Sequence, residues 1–231
     1  TDKRGSQFFE GYNYSIEIID TPRLNNIFLL PVNLFIISYL TIKSFFLLKN
    51  KKIDILFSTG GYMSLPLILA AKILQLKIYL LEPNFVLGRA NRFFLKSCIK
   101  ILCYSDHIKN FPKKFKHKIE IIYPLVRRSY YETKNNNNRN KFNILVIGGS
   151  QGAKIFDKGL KEKLVNISKE YSIKITQQTS KKNISNLSEY YSKNEIENLI
   201  FDFDKNLINK IKNSDLCITR AGASTLAELS I

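Results

Sequence analysis

Three features predict an α/β fold of the doubly wound, parallel-sheet kind. Short β-rich runs alternate with helical stretches, several runs are apolar almost throughout, and glycine-bearing turns follow the strands. Near-continuous apolar character is what a strand covered on both faces requires. Strands are expected at residues 53–58, 77–81, 99–105, 119–123, 142–147, 172–177, 199–203 and 215–219. Helical patterning fills 64–74, 88–96, 154–169 and 207–213. Strand, helix, strand in this rhythm gives right-handed crossovers and parallel pairing.

The rhythm breaks once. Residues 134–141 read KNNNNRNK, with no apolar residue and no period, so they form a solvated linker. The expected organisation is therefore an amino-terminal α/β domain over 1–133, a linker over 134–141 and a carboxy-terminal α/β domain over 142–231. The first residue is Thr rather than Met, no signal-like leader follows, and the last residues read as a helix just begun. The sequence is expected to be an internal piece of a longer protein, with both domains truncated.

Composition narrows the function class. Of 231 residues 45% are hydrophobic and 24% charged, which excludes a wholly disordered or fibrous chain. The formal charge of +17 invites polyanions such as nucleic acid, an anionic membrane face or phosphorylated substrates. The surplus consists mostly of Lys scattered among Ile and Asn, so charge alone identifies no partner. Cys98, Cys103 and Cys217 lie in apolar runs without metal-ligand spacing, the pattern of reduced thiols in a cytosolic protein.

In open α/β sheets ligands bind beyond the carboxyl ends of the strands, so function is sought there. The first strand is followed by Gly60, Gly61 and Tyr62, either an ordinary tight turn or a backbone able to approach a bound group. The second ends in Glu82-Pro83-Asn84, with Gly88, Arg89, Ala90, Asn91 and Arg92 beyond; the acid and amide serve as base and anchor, or as turn formers. The fifth leads into Gly148, Gly149, Ser150, Gln151, Gly152 and Ala153, whose amides, hydroxyl and following helix suit a phosphate. This run is neither a Walker loop nor the dinucleotide fingerprint, and the next strand ends in Gln177-Gln178 where a nicotinamide binder needs an acid. The eighth strand is followed by Arg220, Ala221, Gly222, Ala223, Ser224, Thr225, Leu226, Ala227 and Glu228. Thr225 and Glu228 have the spacing of a capping box, the reading that residue chemistry favours; the sharper alternative places a diphosphate at the helix start and a ribose at Glu228. Asp202-Phe203-Asp204 has the spacing of a metal-binding D-x-D, but it ends a strand, and no metal site is assigned.

The stretch 27–48 holds 16 apolar residues in 22, interrupted by Pro31, Asn33 and Lys43. These interruptions favour a helix that is partly core and partly a patch dipping into a membrane interface, rather than a spanning segment. Arg23, Lys43, Lys49, Lys51 and Lys52 would meet anionic headgroups, each contributing on the order of 1 kcal/mol.

Taken in order, these motifs resemble the MurG-type N-acetylglucosaminyltransferases of bacterial peptidoglycan synthesis. The matching pieces are Gly60-Gly61-Tyr62, Glu82-Pro83-Asn84 with Gly88 to Arg92, Val126-Arg127, the run from Gly148 to Ala153, and Arg220 to Thr225 with Glu228. The resemblance implies a GT-B glycosyltransferase of two Rossmann-like domains. It would transfer N-acetylglucosamine from UDP-N-acetylglucosamine to lipid I, forming lipid II, by inverting displacement. It implies donor contacts at Asn84, Arg127, Ser150 and residues 223–228, with Glu228 on the ribose and backbone near Asp204 on the uracil. Gly148, Gly149, Gln151 and Gly152 would form the phosphate loop, and Gly60, Gly61 and Tyr62 would face the acceptor. No metal or other cofactor is required; the general base is unassigned, with Glu82 one candidate. The enzyme would sit peripherally on the cytoplasmic face of the inner membrane, where the lipid acceptor lies.

Four departures stand out. A glycine-rich loop with a His belongs before residue 1, and paired glutamines belong beyond Ile231, so the piece itself is expected to be inactive. Tyr123-Pro124-Leu125 stands in place of the family's Gly-Asn-Pro, and Pro83 in place of Gln. Two rivals remain: a GT-B transferase acting on another membrane lipid such as a diacylglycerol, and a basic nucleic-acid-binding module. The second requires basic residues clustered with exposed aromatics, whereas the Lys residues are spread along the chain, so no nucleic-acid partner is expected.

Overall fold

The computed structural model describes residues 1, 3–6, 9, 13–22, 28–126, 128–132, 141–148, 153–204 and 206–230. The chain divides into two compact units, Thr1–Pro124 and Leu125–Ile231. Of the expected linker, only Lys141 lies among the described residues.

The first unit runs through α1 (Lys3–Ser6), α2 (Leu30–Asn50), β1 (Ile55–Ser58), α3 (Leu65–Ile73), β2 (Lys77–Glu82), α4 (Arg89–Phe94), β3 (Lys100–Cys103) and β4 (Ile119–Ile121). The strands lie in the order β1-β2-β3-β4, every pair parallel. Ile78, Leu80, Ile101 and Cys103 from the sheet pack with Ile68, Ala70, Phe94 and Leu95 from the helices, all at most 1% exposed. Burying one such large apolar side chain is worth about 1.5–3 kcal/mol. A proline occupies the first turn of both α2 and α3, where its missing N–H breaks no helical bond.

Helix α2 is apolar on both sides, and only one side is covered. Asn33, Ile37, Leu40, Ser44 and Leu48 are buried, and α2 packs along α3. Val32, Phe35, Tyr39, Ile42 and Phe46, spaced three and four apart, form an exposed apolar stripe. The helix is long and apolar enough to cross a membrane, yet its buried face makes it part of the core of this unit.

The second unit contains α5 (Ser129–Glu132), β5 (Phe142–Ile147), α6 (Ala153–Gly159), α7 (Lys161–Ser168), β6 (Ile173–Gln178), α8 (Ile184–Lys193), β7 (Glu197–Phe201), α9 (Leu207–Lys212), β8 (Leu216–Thr219) and α10 (Ala223–Leu229). Its sheet has the order β7-β6-β5-β8, again all parallel. Central β5 is buried from Ile144 to Ile147, as its continuous apolar run requires. Ile175, Leu164, Leu187 and Tyr191 complete the core around it.

All eight expected strands are present. The seventh sits two residues earlier than expected, because the ladder ends where Thr179 N donates to Phe201 O, and Asp202 Oδ1 then accepts from the Phe203 amide. The single helix expected at 154–169 is two, α6 and α7, with the break at Leu160 just after Gly159.

Three helices end alike. After α2, α3 and α8 the residues Lys52, Gln75 and Glu195 adopt positive φ of 50°, 57° and 58°. The next amide in each case reaches back to the helix: Ile53 N to Leu48 O, Leu76 N to Ala71 O, Ile196 N to Tyr191 O. These are Schellman closures built without glycine.

Candidate functional site

In the second unit β5 pairs with β6 on one side and β8 on the other. Chain connections therefore diverge between β5 and β8, the topological switch point at which open α/β sheets leave a crevice beyond their carboxyl ends. Ile147 and Thr219 are register partners. Gly148 and Arg220 thus leave the sheet side by side, bringing together two motifs far apart in sequence. Gly148 is buried; Gly149, Ser150, Gln151 and Gly152 lie outside the described residues, as does Arg127.

On the β8 side the turn is tight. Gly222 N donates to Arg220 O at 2.7 Å, and Thr219 Oγ1 donates to the same carbonyl at 3.1 Å. Gly222 is the N-cap of α10, in extended conformation and with no side-chain cap bond. This corrects the capping-box reading: Thr225 and Glu228 lie inside the helix, one turn apart. Gly222 caps with backbone alone, so the helix starts before the first side chain able to cap it. Ser224 and Leu226 are exposed, Ala223, Thr225 and Glu228 half-buried, and Ala227 packs inward.

Asp204 follows β7. Its Oδ1 accepts from Asn206 N at 2.8 Å and its Oδ2 pairs with Lys210 Nζ. Burial raises its pKa, but the Lys210 bond and the Asn206 amide outweigh that and hold the carboxyl below its ordinary value. Lys210 also lies over the Phe201 ring at 4.8 Å. Of the D-x-D spacing, Asp204 thus pairs with Lys210 of α9 and Asp202 Oδ1 accepts from the Phe203 amide, and among the described residues no group of three or more His, Cys, Asp or Glu side chains converges.

The first unit brings together the turns after β1 and β2. Gly60 and Gly61 have φ of +79° and +82°, which only glycine adopts readily. Ser58 Oγ accepts from Gly60 N at 3.2 Å, closing the turn. A cavity of about 190 Å³ opens beside it, lined by Ser58, Thr59, Gly60, Met63 and Ser64 over Leu67 and Ile68. Tyr62 is 38% exposed at the rim of this turn.

Glu82 is 2% exposed. Its Oε1 accepts from Asn84 N at 3.3 Å and Asn84 Nδ2 at 3.0 Å, and its Oε2 from Gly88 N at 2.7 Å and Asn91 Nδ2 at 3.0 Å. Four donors occupy the four lone-pair sites of a carboxylate. That is the arrangement of an internal brace, and a proton acceptor at Glu82 would first have to release one of them. The amide of Asn84 is engaged in the same brace. Asn91, 3% exposed, also donates to Leu81 O at 3.0 Å, while its buried Oδ1 has no hydrogen-bond partner among the described residues. Sequence reasoning had Asn91 within a motif but gave it no role; the signal was an amide three residues after a glycine, facing a strand-end acid.

Comparison with known proteins follows the same division. The glycosyltransferase family 28 N-terminal domain matches residues 1–103, and the glycosyltransferase family 28 C-terminal domain matches residues 143–231. A UDP-N-acetylglucosamine--N-acetylmuramyl-(pentapeptide) pyrophosphoryl-undecaprenol N-acetylglucosamine transferase of Pelagibacter ubique is 45% identical over 232 residues, covering 100% of this chain and 65% of the relative. The Rickettsia felis protein of the same description is 32% identical, covering 100% and 67%. The chain thus spans about two thirds of the length of these curated relatives. Among solved structures, Acinetobacter baumannii MurG superposes with a TM-score of 0.66 at 23% identity, over 98% of this chain and 62% of that one. A Neisseria meningitidis UDP-GlcNAc 2-epimerase bound to UDP-GlcNAc gives 0.60 at 10% identity, over 96% and 68%. At such identities these structures speak for the fold alone, two parallel-sheet α/β domains of the GT-B type.

Proposed function

Since the chain belongs to glycosyltransferase family 28, we propose that its parent protein transfers N-acetylglucosamine from UDP-N-acetylglucosamine to a pyrophosphoryl-undecaprenol acceptor, lipid I, yielding lipid II for peptidoglycan. The observation that carries this reading is the pairing of β5 with β8, which sets Gly148 beside Arg220 at the switch point of the second unit. The donor diphosphate would lie over these strand ends, with Glu228 on the ribose and the backbone near Asp204 on the uracil. Arg127, Ser150 and residues 223–228 complete the proposed donor contacts of the second unit.

The mechanism follows from where charge builds. The acceptor hydroxyl, giving its proton to a general base, attacks the anomeric carbon as the bond to UDP breaks, with inversion, and negative charge grows on the diphosphate. Amide groups of the Gly148–Gly152 segment and of the α10 start, with the guanidinium of Arg220, would meet that charge, so that no metal is required. The Gly60-Gly61-Tyr62 turn, braced by Glu82 and Asn91, would face the acceptor. The exposed stripe of α2, with Lys43, Lys49, Lys51 and Lys52, would hold the enzyme peripherally on the anionic cytoplasmic face of the bacterial inner membrane, where a lipid acceptor is reached.

The test is a transfer assay of the complete gene product with labelled UDP-N-acetylglucosamine and either lipid I or diacylglycerol vesicles. Label in lipid II supports the reading. Label in a glycosyl diacylglycerol, or in neither lipid, overturns it.

A further inference from the structure

Gln177 is the next-to-last residue of β6, near where a nicotinamide-binding fold carries an acid, and its side chain is fully buried in a polar network. Its Oε1 accepts from Tyr191 OH at 2.8 Å, and its Nε2 donates to Asp157 Oδ1 at 3.0 Å. Asp157 Oδ2 accepts from Thr179 Oγ1 at 2.7 Å and Asn183 Nδ2 at 3.0 Å. Tyr191 is 0% and Thr179 3% exposed. Burial, and then the negative charge on Asp157, push the Tyr191 phenol well above its ordinary range, so it remains a donor. The order of the chain is therefore fixed: phenol to amide to carboxylate.

This network ties α6 to the end of β6 and to α8. Ile155 is 68% exposed, and Phe156 is only partly buried against the core. Asp157 stands one turn after Ala153, about 6 Å along the axis, and Ala153 is where the Gly148–Gly152 segment enters the helix. A carboxylate this near a bound diphosphate would repel it by charge alone. Three converging donors give the acid a different task.

We infer that Asp157 is a positioning residue for the donor diphosphate: anchored on Gln177, Thr179 and Asn183, it fixes α6 and with it the exit of the glycine segment. The inference rests on the reading of the β5 and β8 ends as the donor site.

The test is calorimetric titration of the complete protein with UDP, well below the melting temperature of each variant. Asp157→Ala should weaken UDP binding by at least about tenfold, the cost of a displaced binding group. Asp157→Asn keeps the shape and an acceptor for Gln177, and should stay within about threefold of wild type. Ile155→Ala, on the exposed side of α6, should leave affinity unchanged. Thr179→Val removes one donor and leaves the carboxylate in place; it should cost about threefold, and it carries the test if Asp157→Ala does not fold. Wild-type UDP affinity in folded Asp157→Ala or in Thr179→Val, with only a lowered melting point, overturns the inference. So does an Asp157→Asn protein as weak as Asp157→Ala, which would make charge, not position, the operative property. A wild-type protein that does not bind UDP overturns the donor-site reading itself.

Discussion

Asn91 lies against the α-carbon of Gly60: a β-carbon built there would stand 2.9 Å from Asn91 Oδ1 and 3.0 Å from Nδ2. The same amide group donates to Glu82, so the turns after β1 and β2 share one joint. Gly60 is therefore glycine for two reasons, its positive φ and the space that Asn91 fills.

Gly60→Ala should destabilise the protein by about 2 kcal/mol, combining backbone strain with a contact that cannot relax freely. In an Asn91→Ala background the cost should fall by at least about 0.5 kcal/mol, the mark of residues in contact. Urea unfolding of the four proteins of this cycle measures the coupling. Strict additivity would dissolve the joint.

The helix closures make a separate prediction. Gln75 and Glu195 occupy the left-handed region, which costs an L-residue about 1–2 kcal/mol. Glycine gives back part of that as unfolded-state entropy. Gln75→Gly and Glu195→Gly should each raise stability by about 0.5 kcal/mol, read as an increased urea midpoint at constant slope.

Thiol burial predicts a pH dependence. Burial lifts Cys103, which is 0% exposed, from the ordinary thiol value of 9.0 to about 12, with the charge on Glu82 adding to it; burial lifts Cys217 to about 11. Once these thiols ionise in the unfolded chain, the native state binds more protons than the unfolded one. Stability should be unaffected by these groups below pH 9 and should fall as pH rises from 9 towards 12. Unfolding midpoints at pH 8 and pH 10.5 check the sign, and Cys103→Ala should flatten the decline.

Glu228 separates donor contact from helix stability. It sits in the second turn of α10 rather than at its cap. Glu228→Gln should weaken UDP binding about tenfold, as for one hydrogen bond to a charged group, with little change in melting temperature. Unchanged affinity would remove the ribose from Glu228.

The α2 stripe predicts peripheral attachment. The protein should float with anionic vesicles at low salt and be released as ionic strength rises. Phe35→Asp, at a position 76% exposed, should abolish flotation without unfolding the protein. Release only by detergent would mean that α2 is embedded.

Strand positions were legible because buried parallel strands are written as continuous apolar runs. Helix ends were less so. Helix α8 begins without a side-chain cap and ends on Glu195 where a sequence signal would be glycine. The α10 start was misplaced because Thr225 and Glu228 imitate a cap that Gly222 supplies with its backbone. The glycine turns announced themselves by composition. The braces behind them did not: Asp157 meets Gln177 and Asn183, residues 20 and 26 positions away, and only packing makes them neighbours.

The pairing of β5 with β8 has a further consequence in the order of assembly. The two strands are joined through Asn143 and Asp215, 72 residues apart, whereas β6 and β7 meet through Lys174 and Glu197. Closing a chain loop roughly threefold longer costs about 1 kcal/mol more entropy. Strand β8 should thus dock last, and a nascent chain still lacking residue 216 carries both halves of the sheet's interior but no corner between Gly148 and Arg220. A nucleotide bound at that corner, as proposed above, would therefore not template early folding; it would act as a latch, holding closed a late contact of the unit once it has formed.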